Sequence, residues 1–198
     1  MMPEWCFDSD LSTIDRECWR LLKEGVVSYK NPFHFGVFTT IDDHFPAART
    51  VIIRGVDIQN KIIKFNTDIR SPKFLQLTIN PHVSWLFYDE NLRIQMRCNA
   101  VASLHVDDEI ADKGWHEARL SCKITYTPAQ SPGTFLEKPY LLDLNQINIT
   151  EHELEAARKN FAIVQTQIIS LDWVSLHHKG NRRAFFDYKK NIQTWMQS

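Results

Sequence analysis

Five times between residues 35 and 104 the chain repeats one texture, a short run of β-branched and aromatic side chains followed by turn formers or a helix signal. The runs cover residues 35–41, 48–54, 61–66, 83–88 and 92–104. Asp42-Asp43-His44, residues 57–60, Asn80-Pro81 and Asp89-Glu90-Asn91 punctuate them, as residues that stop strands and reverse the chain do. Parallel neighbours need crossovers of a dozen or more residues, so the spacing specifies antiparallel pairing in a barrel or sandwich. Residues 161–176 read as a long closing strand and residues 183–188 as a short last one.

Helices belong on the rim. Residues 12–24 carry Ile14, Cys18, Leu21 and Leu22 on one side, with Ser12 and Asp15 as a capping-box variant and Gly25 as the stop. Ser71 is an N-cap and Pro72 a first helical residue. A further helix starts near Asp107, and Thr150 with Glu153 forms a capping box for another that ends near Asn160. Residues 124–148 hold three prolines and read as a long ordered excursion. The expected fold is α+β, mainly β: one antiparallel β-barrel with peripheral helices, a single domain over residues 1–198.

Composition narrows the function. The chain has six glycines in 198 residues, about three per hundred against roughly seven in an average protein. None cluster, which excludes G-x-G-x-x-G and the P-loop; a phosphorylated ligand must be gripped by side chains. A formal charge of −1 gives no polyelectrolyte signature for nucleic acid, and no apolar run spans a bilayer. Cys6, Cys18, Cys98 and Cys122 are widely spaced, as reduced thiols are, and the start of the chain lacks the apolar core of a secretion signal. These features predict a cytoplasmic protein without a membrane or nucleic-acid partner. No Cys/His spacing suits a metal, and no nucleophile elbow or paired-carboxylate signature is present.

Three basic clusters remain. Arg49 and Arg54 bracket a strand, and paired guanidiniums suit phosphate. They are an odd number of residues apart, so a regular strand aims them at opposite faces; a shared ligand demands a break, for which Gly55 is the candidate. The second cluster is Thr67-Asp-Ile-Arg-Ser-Pro-Lys73. It puts a lysine in the first turn of a helix, where the dipole disfavours a cation unless an anion binds there. In the third, Arg93, Gln95 and Arg97 share one face of a strand.

In order and spacing, these three segments resemble the pyridoxamine 5'-phosphate oxidase-like, FMN-binding split-barrel family, in the branch carrying T-D-x-R-S-x-K. The resemblance is closest from about residue 33 to 100. It implies an antiparallel split barrel and FMN as cofactor. The phosphate and ring edge would be held by Arg49, Val51, Ile52, Arg54, Asn66, Thr67, Ser71 and Lys73, with Gln95 bonded to the flavin. Gln130 and Ser131 match a pair that reaches the flavin from a second subunit, which implies a homodimer with FMN at the interface. The implied activity is that of an FMN-dependent oxidoreductase on a small-molecule substrate. Where the family's oxidases grip a substrate phosphate, this chain offers Trp115, Arg119 and Lys123, and near its C-terminal end Ser175-Leu-His-His-Lys179 with Arg182 and Arg183. Arg119, Arg182 and Arg183 are the candidate substrate contacts, and the departures imply a different or altered substrate. A non-catalytic flavin-binding or sensing module is the alternative, as is a haem-binding split barrel using His177 or His178.

Overall fold

The computed structural model describes residues 9–142, 149–177 and 180–198. Helix α1 (Leu11–Val27) and a 3₁₀ turn (Pro32–His34) precede β1 (Phe35–Asp42), β2 (Phe45–Ile52), β3 (Gly55–Asp57) and β4 (Ile62–Asp68). After α2 (Pro72–Ile79) come β5 (His82–Asp89), β6 (Ile94–His105), α3 (Glu109–Glu117) and α4 (Leu120–Ile124). Helix α5 (Glu151–Arg158), β7 (Phe161–Ser175), β8 (Arg182–Asp187) and β9 (Ile192–Met196) complete the described chain. No described helix is long and apolar enough to cross a membrane.

Every strand pair is antiparallel, in the order β2-β1-β5-β6-β7-β4-β3, with β8 on β7 and β9 on β8. Strand β7 is the spine. Its first half, Phe161 to Gln167, pairs with β4, and its last part, Ser170 to Ser175, pairs with β8. Between them the register against β6 slips at Asn99/Ala100, a bulge that bends the sheet. One edge of β7 thus serves two strands that part from each other, giving the mainly antiparallel α+β split barrel expected from the sequence.

The barrel closes over aromatic rings. Phe38, Phe65, Trp85 and Phe87 are fully buried, with Trp85 and Phe87 stacked at 5.4 Å and Phe38 tilted onto Trp85 at 4.8 Å. Indole Nε1 of Trp85 donates to Thr166 Oγ1 (3.1 Å), which donates to the Ile63 carbonyl (2.9 Å), so these two polar groups are paired inside the core. Helix α1 plugs one end with Ile14, Cys18, Trp19 and Leu22. A second cluster, Trp115, Tyr126, Ala157, Phe161 and Ile163, ties α3 and α5 to the start of β7.

Several local expectations change. Asp10, not Ser12, caps α1, accepting from the Thr13 amide at 2.8 Å. The helix also runs through Gly25 to Val27. Gly25 is there for proximity, because a Cβ would lie 2.4 Å from the Phe33 carbonyl oxygen. Strand β2 starts at Phe45 rather than residue 48, and β3, α4 and β9 are elements the sequence pattern did not single out. The capping box of α5 forms as read from Thr150 and Glu153.

Candidate functional site

The main cavity is a cleft of about 1220 Å³ walled by β2 and β3, the end of α1, and the α3–α4 region. Its geometry follows from a change of partner within one stretch of chain. Strand β2 pairs with β1 up to Ile52, opposite Phe35. The Ile53 amide then bonds the His34 carbonyl (3.0 Å), the Arg54 amide bonds the Lys64 carbonyl (2.7 Å), and β3 continues along β4. Ile53 turns fully into the core. The strand breaks here, and Arg49 and Arg54 line one cleft together with Val51 and Ile52. The break falls at Ile53–Arg54 rather than at Gly55. Gly55 has no positive φ, and a Cβ there would meet only the Lys64 stem at 3.5 Å.

The cleft is electropositive. Arg49, Arg54, Lys64, Lys73, Lys113 and Arg119 line it, against Asp57 and Glu117. Arg49 is held from behind, donating to Thr40 Oγ1 (2.5 Å) and Gln76 Oε1 (3.0 Å). Burial pulls the Arg49 guanidinium below its ordinary range. Lys73 donates to Thr67 Oγ1 (3.2 Å), and burial, with the Arg49 charge, lowers its ammonium. Asp68 offsets this only in part, being clamped by Arg70 through Nη2 (2.6 Å) and Nε (3.0 Å). Two partly buried cations beside one another are costly in an empty cleft and favourable around an anion. Helix α2 begins at the same place, and Ser71, its N-cap, makes no side-chain cap bond. A phosphate group fits this arrangement of cations and helix terminus.

The structure distributes the remaining expected residues in three ways. Asn66 lines the cleft with Arg49, Val51, Ile52, Arg54 and Lys73. Thr67 and Ser71 are buried behind them; the Ser71 hydroxyl donates to the Asp68 carbonyl (2.7 Å) and lies 3.3 Å from Thr67 Oγ1. Arg119, the N-cap of α4, also lines the cleft. Trp115 and Lys123 do not share its role: Trp115 is packed on Phe161 and Tyr126, and Lys123 Nζ lies 5.4 Å over the Trp115 ring.

Other residues lie outside the cleft. Gln95 sits on the opposite, outer face of the sheet, in register with Tyr88 and Val174. Arg93 precedes β6 with a φ of 51° rather than sharing the strand face. Gln130 and Ser131 line a separate cavity of about 220 Å³ beside Arg70. Arg182 donates to the Ser9 carbonyl (2.9 Å) and lies 4.5 Å over Trp195. Arg183 bonds Asp172 (2.7 and 2.9 Å), as does Arg97 (2.6 Å). His178 falls outside the described residues.

Sequence reasoning missed the supporting residues. Thr40 and Gln76, which brace Arg49, come from β1 and α2 and are joined only by folding. Arg70 also donates to the Pro128 carbonyl (2.8 Å), pinning the segment that carries Gln130 and Ser131. An arginine next to an aspartate two residues earlier was the available signal for this clamp.

Residues 16–106 match the family model for the pyridoxamine 5'-phosphate oxidase FMN-binding domain. The matched segment runs from α1 through β6 and contains the Arg49–Lys73 wall. The match covers just under half of the chain, and the domain it describes is an FMN-binding one. A pyridoxine/pyridoxamine 5'-phosphate oxidase of Gluconobacter oxydans is 32% identical over 87 residues, which is 42% of this chain and 42% of that protein. The match thus spans less than half of that relative. Among solved structures, a pyridoxamine 5'-phosphate oxidase-related, FMN-binding protein from Nostoc punctiforme superposes with a TM-score of 0.70 at 18% identity, covering all of both chains. PhzG from Burkholderia lata, in complex with tetrahydrophenazine-1-carboxylic acid, gives 0.69 at 16% identity over 100% of this chain and 98% of its own. At these identities the likeness is one of fold.

Proposed function

We propose that the protein is a cytoplasmic, FMN-dependent oxidoreductase that works as a homodimer, with residues 1–198 as one split-barrel unit. The observation that carries this reading is the Arg49–Lys73 pair, two partly buried cations at a helix start, with Asp68, the carboxylate that acts on Lys73, clamped by Arg70. They receive the FMN phosphate, with Asn66 beside them and Thr67 and Ser71 holding Lys73 and the turn in place. Val51 and Ile52 are the wall for the ring, and Arg54 meets its polar edge. Arg49 and Arg54 are five residues apart, at most about 16 Å along a chain, an upper limit because the strand breaks at Ile53–Arg54, and both line the one cleft. Bound FMN supplies a hydride acceptor, while the protein supplies charge, shape and exclusion of water.

An apolar outer face supports the dimer. Phe35, Val37, Leu86 and Tyr88 are 36–49% exposed on β1 and β5, a contiguous patch of the kind that marks an interface. Gln95 adjoins Tyr88 on this face, so a second copy seated here would receive Gln95 at its own flavin. With Trp115 and Lys123 packed on each other, Arg119 is the residue of that trio at the cleft. A substrate different from the 5'-phosphates of the relative's name is the reading this favours, because a lost donor leaves a bound phosphate poorly paired.

The test is the visible spectrum of the purified protein, followed by flavin reduction with amines, pyridoxine phosphates and reduced nicotinamides. A flavin doublet that is bleached by one of these supports the proposal. Bound flavin that none of them reduces favours the sensing module, and a Soret band overturns the reading. FMN affinity unchanged in an Arg49→Ala, Lys73→Ala double variant would sink the phosphate assignment.

A further inference from the structure

One side chain in the cleft is poised for a ligand in a way the basic residues are not. His34 is only 7% exposed, yet it forms part of the cleft wall. Its Nδ1 lies 2.6 Å from the Gly25 carbonyl oxygen. A carbonyl oxygen only accepts, so Nδ1 carries the proton, and in the neutral ring Nε2 presents a lone pair. Among the described residues Nε2 has no hydrogen-bond partner.

The backbone is built to hold this orientation. Asn31 Oδ1 caps the 3₁₀ turn by accepting from the Phe33 amide (2.9 Å), with Pro32 at its first position. The end of α1 approaches so closely that a Cβ on residue 25 would lie 2.4 Å from the Phe33 carbonyl oxygen. Glycine at this one position lets the helix carbonyl reach the imidazole. His34 also sits next to the break in the arginine strand, since its carbonyl accepts the Ile53 amide. The His34 ring and the Arg54 side chain therefore start from adjacent positions on neighbouring chain segments, and both line the cleft.

Arg54 offers only donors, and His34 Nε2 is an acceptor. A cyclic imide edge, C=O, N–H, C=O, presents the matching sequence of acceptor, donor, acceptor. The nearby carboxylate of Asp57 is already taken, accepting from the Asn60 amide (2.9 Å) and side chain (2.8 Å). We infer that His34 is a ligand-binding residue that accepts the imide N–H of the flavin's pyrimidine edge while Arg54 donates to an adjacent carbonyl. The inference rests on the FMN reading above and adds the direction in which the ring lies: phosphate at Arg49 and Lys73, imide edge at His34 and Arg54. It also makes the site selective for rings with an unsubstituted imide nitrogen.

The experiment compares FMN with 3-methyl-FMN, which lacks that N–H, by quenching of flavin fluorescence. One net hydrogen bond corresponds to about fivefold to tenfold in affinity, so the wild-type protein should bind 3-methyl-FMN weaker by that factor. His34→Phe keeps ring bulk without an acceptor; it should lose a similar factor for FMN and no longer distinguish the two ligands. In wild-type protein labelled with ¹⁵N-histidine, the unprotonated Nε2 resonance should move on addition of FMN and stay in place with 3-methyl-FMN. Equal wild-type affinity for the two ligands, or discrimination kept in His34→Phe, overturns the assignment while leaving the FMN site standing. Failure of both ligands to bind overturns the FMN reading and this inference with it. The wild-type comparison and the resonance need no substitution, so a variant that does not fold leaves two decisive arms.

Discussion

Lys73 should make the ligand-free protein less stable. Burial and the neighbouring Arg49 charge both act against its ammonium, and among the described residues its hydrogen bond is to Thr67 Oγ1 at 3.2 Å. Lys73→Met keeps most of the stem and deletes the charge. The Arg49 charge acts on Lys73, and neighbouring like charges at an effective dielectric of about 20 repel by on the order of 2 kcal/mol. Solvent on the Arg49 side reduces this to about 1 kcal/mol. Relief of the ammonium's burial adds about 1 kcal/mol, and the lost hydrogen bond takes away about 1 kcal/mol. Thr67 is not orphaned, since its hydroxyl keeps Ser71 within 3.3 Å. The net expectation is a gain of about 1 kcal/mol, or roughly 2–4 °C in Tm for a domain of this size. FMN affinity should fall about 10- to 100-fold, the worth of a charge-assisted bond to phosphate. Because the folded-state pKa of Lys73 is lowered, the unfolded chain binds more protons between the two values, and wild-type stability recovers as pH rises through that window. The advantage of Lys73→Met should therefore shrink toward pH 10.5. Scanning fluorimetry of ligand-free proteins with a flavin titration checks both halves. A lower Tm for ligand-free Lys73→Met at neutral pH would refute the reasoning, because Lys73 would then be a structural residue rather than one held in readiness for an anion.

Asp172 accepts from Arg97 and Arg183 (2.6–2.9 Å); burial opposes its charge, but these partners outweigh it and hold the carboxyl below its usual range. Asp172→Asn should cost about 1–3 kcal/mol at pH 7, and the deficit should close in urea titrations as pH falls through the lowered folded value. Gly25→Ala, with its Cβ 2.4 Å from a backbone oxygen, should destabilise by about 1–3 kcal/mol and weaken FMN binding by disturbing His34; a Tm within 1 °C of wild type would show that α1 yields at no cost. Leu86→Asp, on the apolar outer face, should give a monomer by light scattering and release FMN, whereas a dimer with unaltered FMN affinity would place the interface elsewhere.

Much of the barrel was legible because its signals are local. Period-two burial in β1 and β5 follows alternation in the chain itself, and the Thr150–Glu153 box needs only residues three apart. Strand β9 lacked such a signal. Its residues, Ile192-Gln193-Thr194-Trp195-Met196, do not follow the period-two alternation of a half-buried strand and are all exposed, and its existence depends on pairing with β8. Gly25 was misread for the opposite reason. A glycine after an apolar helical run usually ends the helix, and the competing demand, close passage of the Phe33 carbonyl, comes from a segment outside the helix.

For the site, parity within a strand carried further than residue type. The odd spacing of Arg49 and Arg54 required a break, and the structure has one, produced by exchange of β1 for β4 as hydrogen-bonding partner rather than by glycine flexibility. The same parity separates Gln95 from the arginines, because Gln95 follows the outer face of β6 while Arg49, opposite the buried Phe38, follows the inner one. A flavin touched by both sets cannot be served by one copy along a single face of the sheet. Either Gln95 has no part in the site, or a second copy must bring it there. The exposed apolar patch beside Gln95 is what weighs for the second copy. Loss of dimer and flavin together in Leu86→Asp, against loss of flavin alone in the Arg49→Ala, Lys73→Ala variant, would separate the interface's contribution from that of the phosphate grip.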